Sequence, residues 1–173
     1  MGMRYIEHMF EVLVFVYENY WRGDACPEPD QLQRKLNAVG FEADEIREAL
    51  DWLTGLNQAT RCTHWLPGLT AAAHNDTPTR LQSPQSMRVY SVAEQDHLGA
   101  DCLGFIIFLE SSGVLPSPMR EIVIDRAMAV PAEELSLDDL KIIILMVYWS
   151  FGEEPDSLIL DELCDDTLER VAH

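Results

Sequence analysis

The sequence predicts a mainly α-helical protein, a multi-helix bundle around one apolar helix, and three observations carry that expectation. From Ser136 to Phe151 the chain reads Ser-Leu-Asp-Asp-Leu-Lys-Ile-Ile-Ile-Leu-Met-Val-Tyr-Trp-Ser-Phe. After Lys141 every face of the implied helix is apolar, and a helix with no wet face runs through the middle of something. Burying Ile142 through Trp149 at about 1.5–3 kcal/mol per large side chain gives a gross gain of order 15–20 kcal/mol. Helical spacing of apolar residues recurs in the first third of the chain and again beyond residue 91. Strand-like character is confined to two short stretches, Arg61–Trp65 and Met87–Tyr90.

The elements follow in order. Tyr5 to Trp21 is an amphipathic helix: Glu7, Glu11 and Glu18 form a narrow wet stripe interrupted by Val14, and Ile6, Met9, Phe10 and Leu13 lie on the apolar side. Gly23, Pro27 and Pro29 make a turn. Asp30 is then placed to cap a short helix through Leu32 and Leu36 that closes near Gly40. A third helix runs from about Ala43 to Leu56, with Ile46, Ala49, Leu50 and Leu53 at i, i+3, i+4 and i+7.

Between Asn57 and Ser86 the helical period vanishes and Pro67, Gly68, Pro78 and Pro84 mark loop. If Arg61–Trp65 and Met87–Tyr90 pair as a hairpin, the order of elements is that of a winged helix. Ser91 and Glu94 then stand at capping-box spacing. Leu103 to Glu110 reads as a mostly buried helix ending at Gly113. Ser117-Pro118 opens the next helix, because proline is favoured at the first helical position. Pro131 ends it, Ser136 and Asp139 cap the apolar helix, and a last short helix carries Leu158, Ile159 and Leu163. Residues 1–58, 59–90 and 91–173 are the expected units, as separate pieces or as one compact domain.

Length, composition and charge narrow the function classes. A chain of 173 residues buries roughly two thirds of its unfolded surface without needing a disulfide or a metal. Its longest apolar run, Ile142 to Trp149, is far shorter than the roughly 20 residues that span a bilayer. Glu7, His8 and Glu11 stand where a secretory signal requires an uncharged stretch. Cys26, Cys62, Cys102 and Cys164 are scattered and form no paired motif. A cytoplasmic protein with reduced thiols is expected, and no cofactor. Cys62, His64 and His74 fit no zinc template, so no metal site is expected. Thirty acidic against twelve basic side chains leave a formal charge of −18. A field of that sign repels phosphate backbones and acidic membranes and favours basic partners.

Several ordered blocks carry a family resemblance: Ser86-Met-Arg-Val-Tyr90, Cys102-Leu-Gly-Phe105, Arg120-Glu-Ile-Val-Ile-Asp-Arg126, and Leu137-Asp-Asp-Leu-Lys141 followed by Ile144-Leu-Met-Val147. With the N-terminal helix and Gly40-Phe41, this pattern resembles the Smg family of bacterial proteins over most of the chain. The resemblance implies a small cytosolic protein without an established activity, often encoded beside the DNA-processing protein DprA. It covers no block between Thr60 and Pro84. A weaker likeness, from Leu32 through Gly40-Phe41 to Leu53, is similar to the three-helix units of RecX-type recombination modulators. Any short helix, Gly-Phe turn and amphipathic helix produces the same pattern.

Eight residues are the candidate interaction positions: Trp65, Arg88, Arg120, Arg126, Asp138, Lys141, Glu153 and Glu154. Trp65 belongs to the long loop, and Arg88 and Arg120 to the family-like blocks. Arg126 falls between Met119 and Ile122 on an apolar helical face, where an unpaired guanidinium is costly. A structural ion pair with Asp138, Asp139 or Glu121 explains it, and so does an anchor for a ligand carboxylate or phosphate. Asp138, Asp139 and Lys141 carry the same two readings, since acids in a first turn need no function to explain them. Glu153 and Glu154 open an acidic tail that is either a solvated face or an attraction for a basic partner.

No catalytic residue is predicted, since no nucleophile has a recognisable base beside it. The leading expectation is a non-enzymatic adaptor or regulator that binds a protein with a basic surface. The alternative is a nucleic-acid-associated factor acting with DNA-processing or recombination machinery, and a third reading is an enzyme with a nonlocal site around Arg126. Direct duplex DNA binding is not expected, because the third helix offers Glu42, Asp44, Glu45, Glu48 and Asp51 against Arg47. No membrane partner is expected either.

Overall fold

In a computed structural model, the structure describes residues 3–20, 28–64, 87–131, 135–153 and 155–164. Seven helices account for most of these residues: α1 (Met3–Asn19), α2 (Pro29–Val39), α3 (Ala43–His64), α4 (Val92–Ser111), α5 (Ser117–Met128), α6 (Leu137–Phe151) and α7 (Ser157–Cys164). The protein is mainly helical, and the described residues contain no strand.

Leu140 through Tyr148, nine consecutive positions of α6, are all buried. The helix packs against α1, α3, α4, α5 and α7. Ser136 Oγ accepts the amide of Asp139 at 3.1 Å and donates to its carboxylate at 2.6 Å, which satisfies one orphan N–H where the apolar run begins. Gly152, at φ 68°, closes the helix in the left-handed conformation that glycine adopts without a Cβ penalty.

The winged-helix hairpin does not form. Arg61–His64 is the last turn of α3, which runs past the expected end at Leu56 because its buried stripe continues to Thr60. The Thr60 hydroxyl donates to the Leu56 carbonyl at 2.9 Å and meets Ser150 Oγ of α6 at 2.9 Å. Met87–Tyr90 alternates as a strand would, with Met87 and Val89 outward and Arg88 and Tyr90 half-buried. Ion pairs of Arg88 hold that segment in place of a ladder. Two other expectations shift as well. Pro29, favoured at a first helical position, starts α2 with Glu28 at the cap, so Asp30 sits inside the first turn. The stretch from Leu103 to Glu110 lies, as expected, in the helical run after Gly99, but it buries only one side: Ile106 and Leu109 are covered, while Gly104, Ile107 and Phe108 face solvent.

The capping box at Ser91 is complete. Glu94 Oε2 accepts the Ser91 amide at 2.7 Å, and Ser91 Oγ accepts the Glu94 amide at 3.3 Å. Gly99, at φ 68° and ψ 173°, breaks the helical path within α4. Glu94 and Glu110 lie on either side of the kink, and a straight helix would hold them about 24 Å apart.

Candidate functional site

Carboxylates from both ends of α4 join one ion-pair network with one turn of α5, Glu94 through Arg88 and Glu110 directly. Arg88 forks onto Glu121 (2.8 and 3.0 Å) and onto Glu94 (2.9 and 3.2 Å). Arg120 donates to the same Glu121 at 2.7 and 2.9 Å and to Glu110. The Arg88 guanidinium also stands 4.7 Å from the Tyr90 ring centroid, over the aromatic face. Bidentate geometry makes these the strong kind of ion pair. The Arg120 side chain is only 5 % exposed, so its two carboxylates are required partners for a charge held out of water.

The electrostatics follow from the geometry. The Arg88 hydrogen bonds and the Ser91 amide hold the Glu94 carboxyl down at about 2, and Glu94 and Glu121 in turn raise Arg88. Burial pushes Glu121 up, but hydrogen bonds from Arg88 and Arg120 outweigh it and leave the carboxyl below its ordinary value. Burial raises Tyr90, whose hydroxyl is enclosed without a hydrogen-bond partner. An open groove of about 660 Å³, lined by Met87, Arg88, Val89, Pro118, Arg120 and Glu121, borders the network. Its two arginines answer to three glutamates, so the cluster as a whole carries net negative charge. It is built to lock α4 onto α5 and is a poor cradle for a phosphate.

Arg126 lies elsewhere. Its guanidinium donates to Asp125 at 2.7 and 2.9 Å, in place of the partners expected from sequence, Asp138, Asp139 or Glu121. It rests against Gly55 of α3, and Trp52 Nε1 donates to its backbone carbonyl at 3.1 Å. A depression of about 320 Å³ beside it is also lined by Glu48, Asp51 and Trp52. Lys141 is buried in α6, with Nζ 3.9 Å from Glu162 of α7 and 5.9 Å from the Phe105 ring centroid. Asp138 is half-buried in the first turn of α6, and Glu153 is exposed just past its end. Trp65, Glu154 and His74 lie outside the described residues. The structure therefore brings Arg88 and Arg120 together and leaves Arg126 and Lys141 in separate places.

Sequence reasoning missed Glu94, Glu110 and Gly55, the residues that explain the arginines. The first doubles as a capping-box residue, which hid its second role, and the other two carried no local signal. Cys62 is a free, exposed thiol and Cys102 a buried one. No group of three metal-ligating side chains occurs among the described residues, and none of the described helices is long and apolar enough to cross a membrane.

The fold and the internal ion-pair lattice define an acidic, mainly helical protein. A family model described as "Protein of unknown function (DUF494)" matches residues 9–173. The chain is 56 % identical to the Protein Smg homolog of Methylibium petroleiphilum over 165 residues, which is 95 % of this chain and all of that protein. It is 57 % identical to the Protein Smg homolog of Leptothrix cholodnii, with the same coverage, and 47 % identical to that of Bordetella avium over 167 residues, or 95 % of this chain and all of that one. The chain belongs to the Smg family, for which no activity is established. No solved structure matches it.

Proposed function

We propose that this protein is a non-enzymatic adaptor or regulatory protein of the cytoplasm that binds another protein through that partner's basic surface. The observation that carries this reading is where the positive charge sits. Thirty acidic side chains face twelve basic ones. Of the basic ones, Arg47, Arg88, Arg120, Arg126 and Lys141 are already paired with acids of the same chain. Each pair also commits an acid, so the net charge stays at −18 while few bases remain to face an approaching molecule, and a field of that sign steers basic surfaces inward and phosphate backbones away. Committed guanidinium donors also leave Arg88 and Arg120 unavailable to hold a substrate oxyanion.

Affinity capture from native lysate at low and at high salt tests the reading. A partner held at low salt should be released as charge attraction is screened over about 8 Å at physiological ionic strength. Neutralising Glu153, Glu154 and Asp156 together should slow association more than it speeds dissociation. Gel-shift titration with duplex DNA is the opposing measurement. Binding whose logarithm falls steeply with salt would transfer the protein to the alternative class, factors acting on nucleic acid beside recombination machinery.

A further inference from the structure

Beyond its kink, α4 turns a continuous face to solvent: Ala100, Asp101, Gly104, Ile107 and Phe108 are all exposed. Ile107 is 51 % and Phe108 55 % exposed, which is unusual for large apolar neighbours on one helix. Gly104 stands on the midline between them. Glycine weakens a helix interior, and at Gly55 the structure supplies a reason, the Arg126 guanidinium. At Gly104 none of the described residues lies within 4 Å of where a Cβ would be. Open space above a mid-helix glycine, flanked by an isoleucine and a phenylalanine, is the shape that admits the backbone of another helix.

Charge decides which helix. α4 has neither lysine nor arginine; its Glu94 and Glu110 are taken up by Arg88 and Arg120, and Asp96 and Asp101 stand exposed. Along the edge from Asp101 to Phe105, the nearby lysine, Lys141, is 5 % exposed and paired with the exposed Glu162. That edge is acidic toward solvent. A second copy of this chain would bring together two chains of formal charge −18, and its α4 has no lysine or arginine to set on Asp101. We infer that the exposed face of α4 around Gly104, Ile107 and Phe108 is the docking surface for an amphipathic helix of the partner, its apolar side over Gly104 and its lysines or arginines on Asp101 and Glu162. The inference rests on the basic-partner reading and adds its location.

The test uses the full chain and a fluorescein-labelled leucine–lysine peptide at amphipathic helical spacing, read by anisotropy. A scrambled peptide of the same composition and a leucine–glutamate counterpart are the controls. The leucine–lysine peptide should bind in preference to both. Gly104→Leu and Phe108→Ser should each weaken it by about tenfold or more. Asp101→Asn should weaken it by about threefold and flatten its salt dependence, and Val39→Ser, an exposed change on α2, should do nothing. Gly104→Ala should weaken the peptide while raising Tm by about 2–4 °C, a pairing that a structural role for the glycine does not produce.

If the peptide binds and every α4 variant binds it equally, the surface is wrong and the basic-partner reading stands. If the leucine–glutamate peptide binds better, both fall. Equal binding of the scrambled peptide, or no binding of the leucine–lysine peptide, overturns the helix-docking inference. A dimer in sedimentation equilibrium that Phe108→Ser dissociates gives the face to a second copy instead.

Discussion

The Arg126 guanidinium on α5 occupies the space that a side chain at position 55 of α3 would fill. A Cβ on Gly55 would stand 2.9 Å from Cζ and closer still to Nη1. Interior glycine costs a helix about 1 kcal/mol relative to alanine, and here that cost is offset by the close approach of two helices. In an Arg126→Ala background, Gly55→Ala should stabilise the protein by about 1 kcal/mol. In the wild-type background the guanidinium must leave its seat, and the gain should vanish or reverse. A double-mutant cycle from urea denaturation should therefore give a coupling of about 1 kcal/mol or more. Simple additivity would mean that the two helices do not approach this closely in solution.

The Arg88–Glu94 pair makes stability depend on pH with a definite sign. Glu94 titrates at about 2 in the folded protein against an ordinary value of 4.5. Between those values the unfolded chain binds more protons than the folded one, so stability rises with pH there. The contribution is fully present above about pH 4.5 and is lost as pH falls toward 2. Glu94→Gln removes the pair and weakens the cap, and should cost about 1–3 kcal/mol at pH 6. The difference between wild type and variant, from denaturant midpoints across pH 2–6, should shrink steadily on the acid side. A difference constant with pH would rule the ion pair out as its source.

Tyr90 supplies an opposite case within the same cluster. Its hydroxyl is buried with no hydrogen-bond partner, and its ring lies under Arg88 at 4.7 Å. Tyr90→Phe keeps the ring and deletes the unsatisfied group, so it should raise stability by about 1 kcal/mol, or Tm by about 2–4 °C. A fall in Tm in thermal unfolding would show that the hydroxyl is satisfied, by water or by the chain, in solution.

How much of this was legible in the sequence divides along local and nonlocal lines. The starts of α4, α5 and α6 were readable because Ser91, Ser117-Pro118 and Ser136 act within one turn of themselves. Gly40 marked the end of α2 for the same reason. The length of α3 was missed because Thr60, a polar residue, continues an apolar stripe by donating to its own helix. Met87–Tyr90 alternated with the right period for a strand, and the ladder was replaced by an arginine whose partners sit six and thirty-three residues away. Wheel reasoning singled out Arg126, yet Arg120 is the more deeply buried arginine, since α5 packs against α3, α4 and α6 at once and has no single apolar face. Nothing local in the sequence reports Glu110 as the partner of Arg120, ten residues before it and across a turn.

The same substitution on two helices separates burial from exposure. Ile143 in α6 has no exposed surface, and aspartate there would place an unpaired carboxylate among apolar side chains on every side. The expected cost exceeds about 4 kcal/mol, a large share of the total stability of a domain this size, and Ile143→Asp should be recovered as insoluble protein. Ile107 in α4 is half exposed, so an aspartate there remains hydrated. Ile107→Asp should be soluble, with a stability within about 0.5 kcal/mol of wild type. Soluble yield and thermal melting of the two variants, prepared side by side, check both halves. A soluble Ile143→Asp with an unchanged melting transition would make α6 peripheral. An insoluble Ile107→Asp would mean that the outer face of α4 is covered by this chain itself, which would close it to any partner.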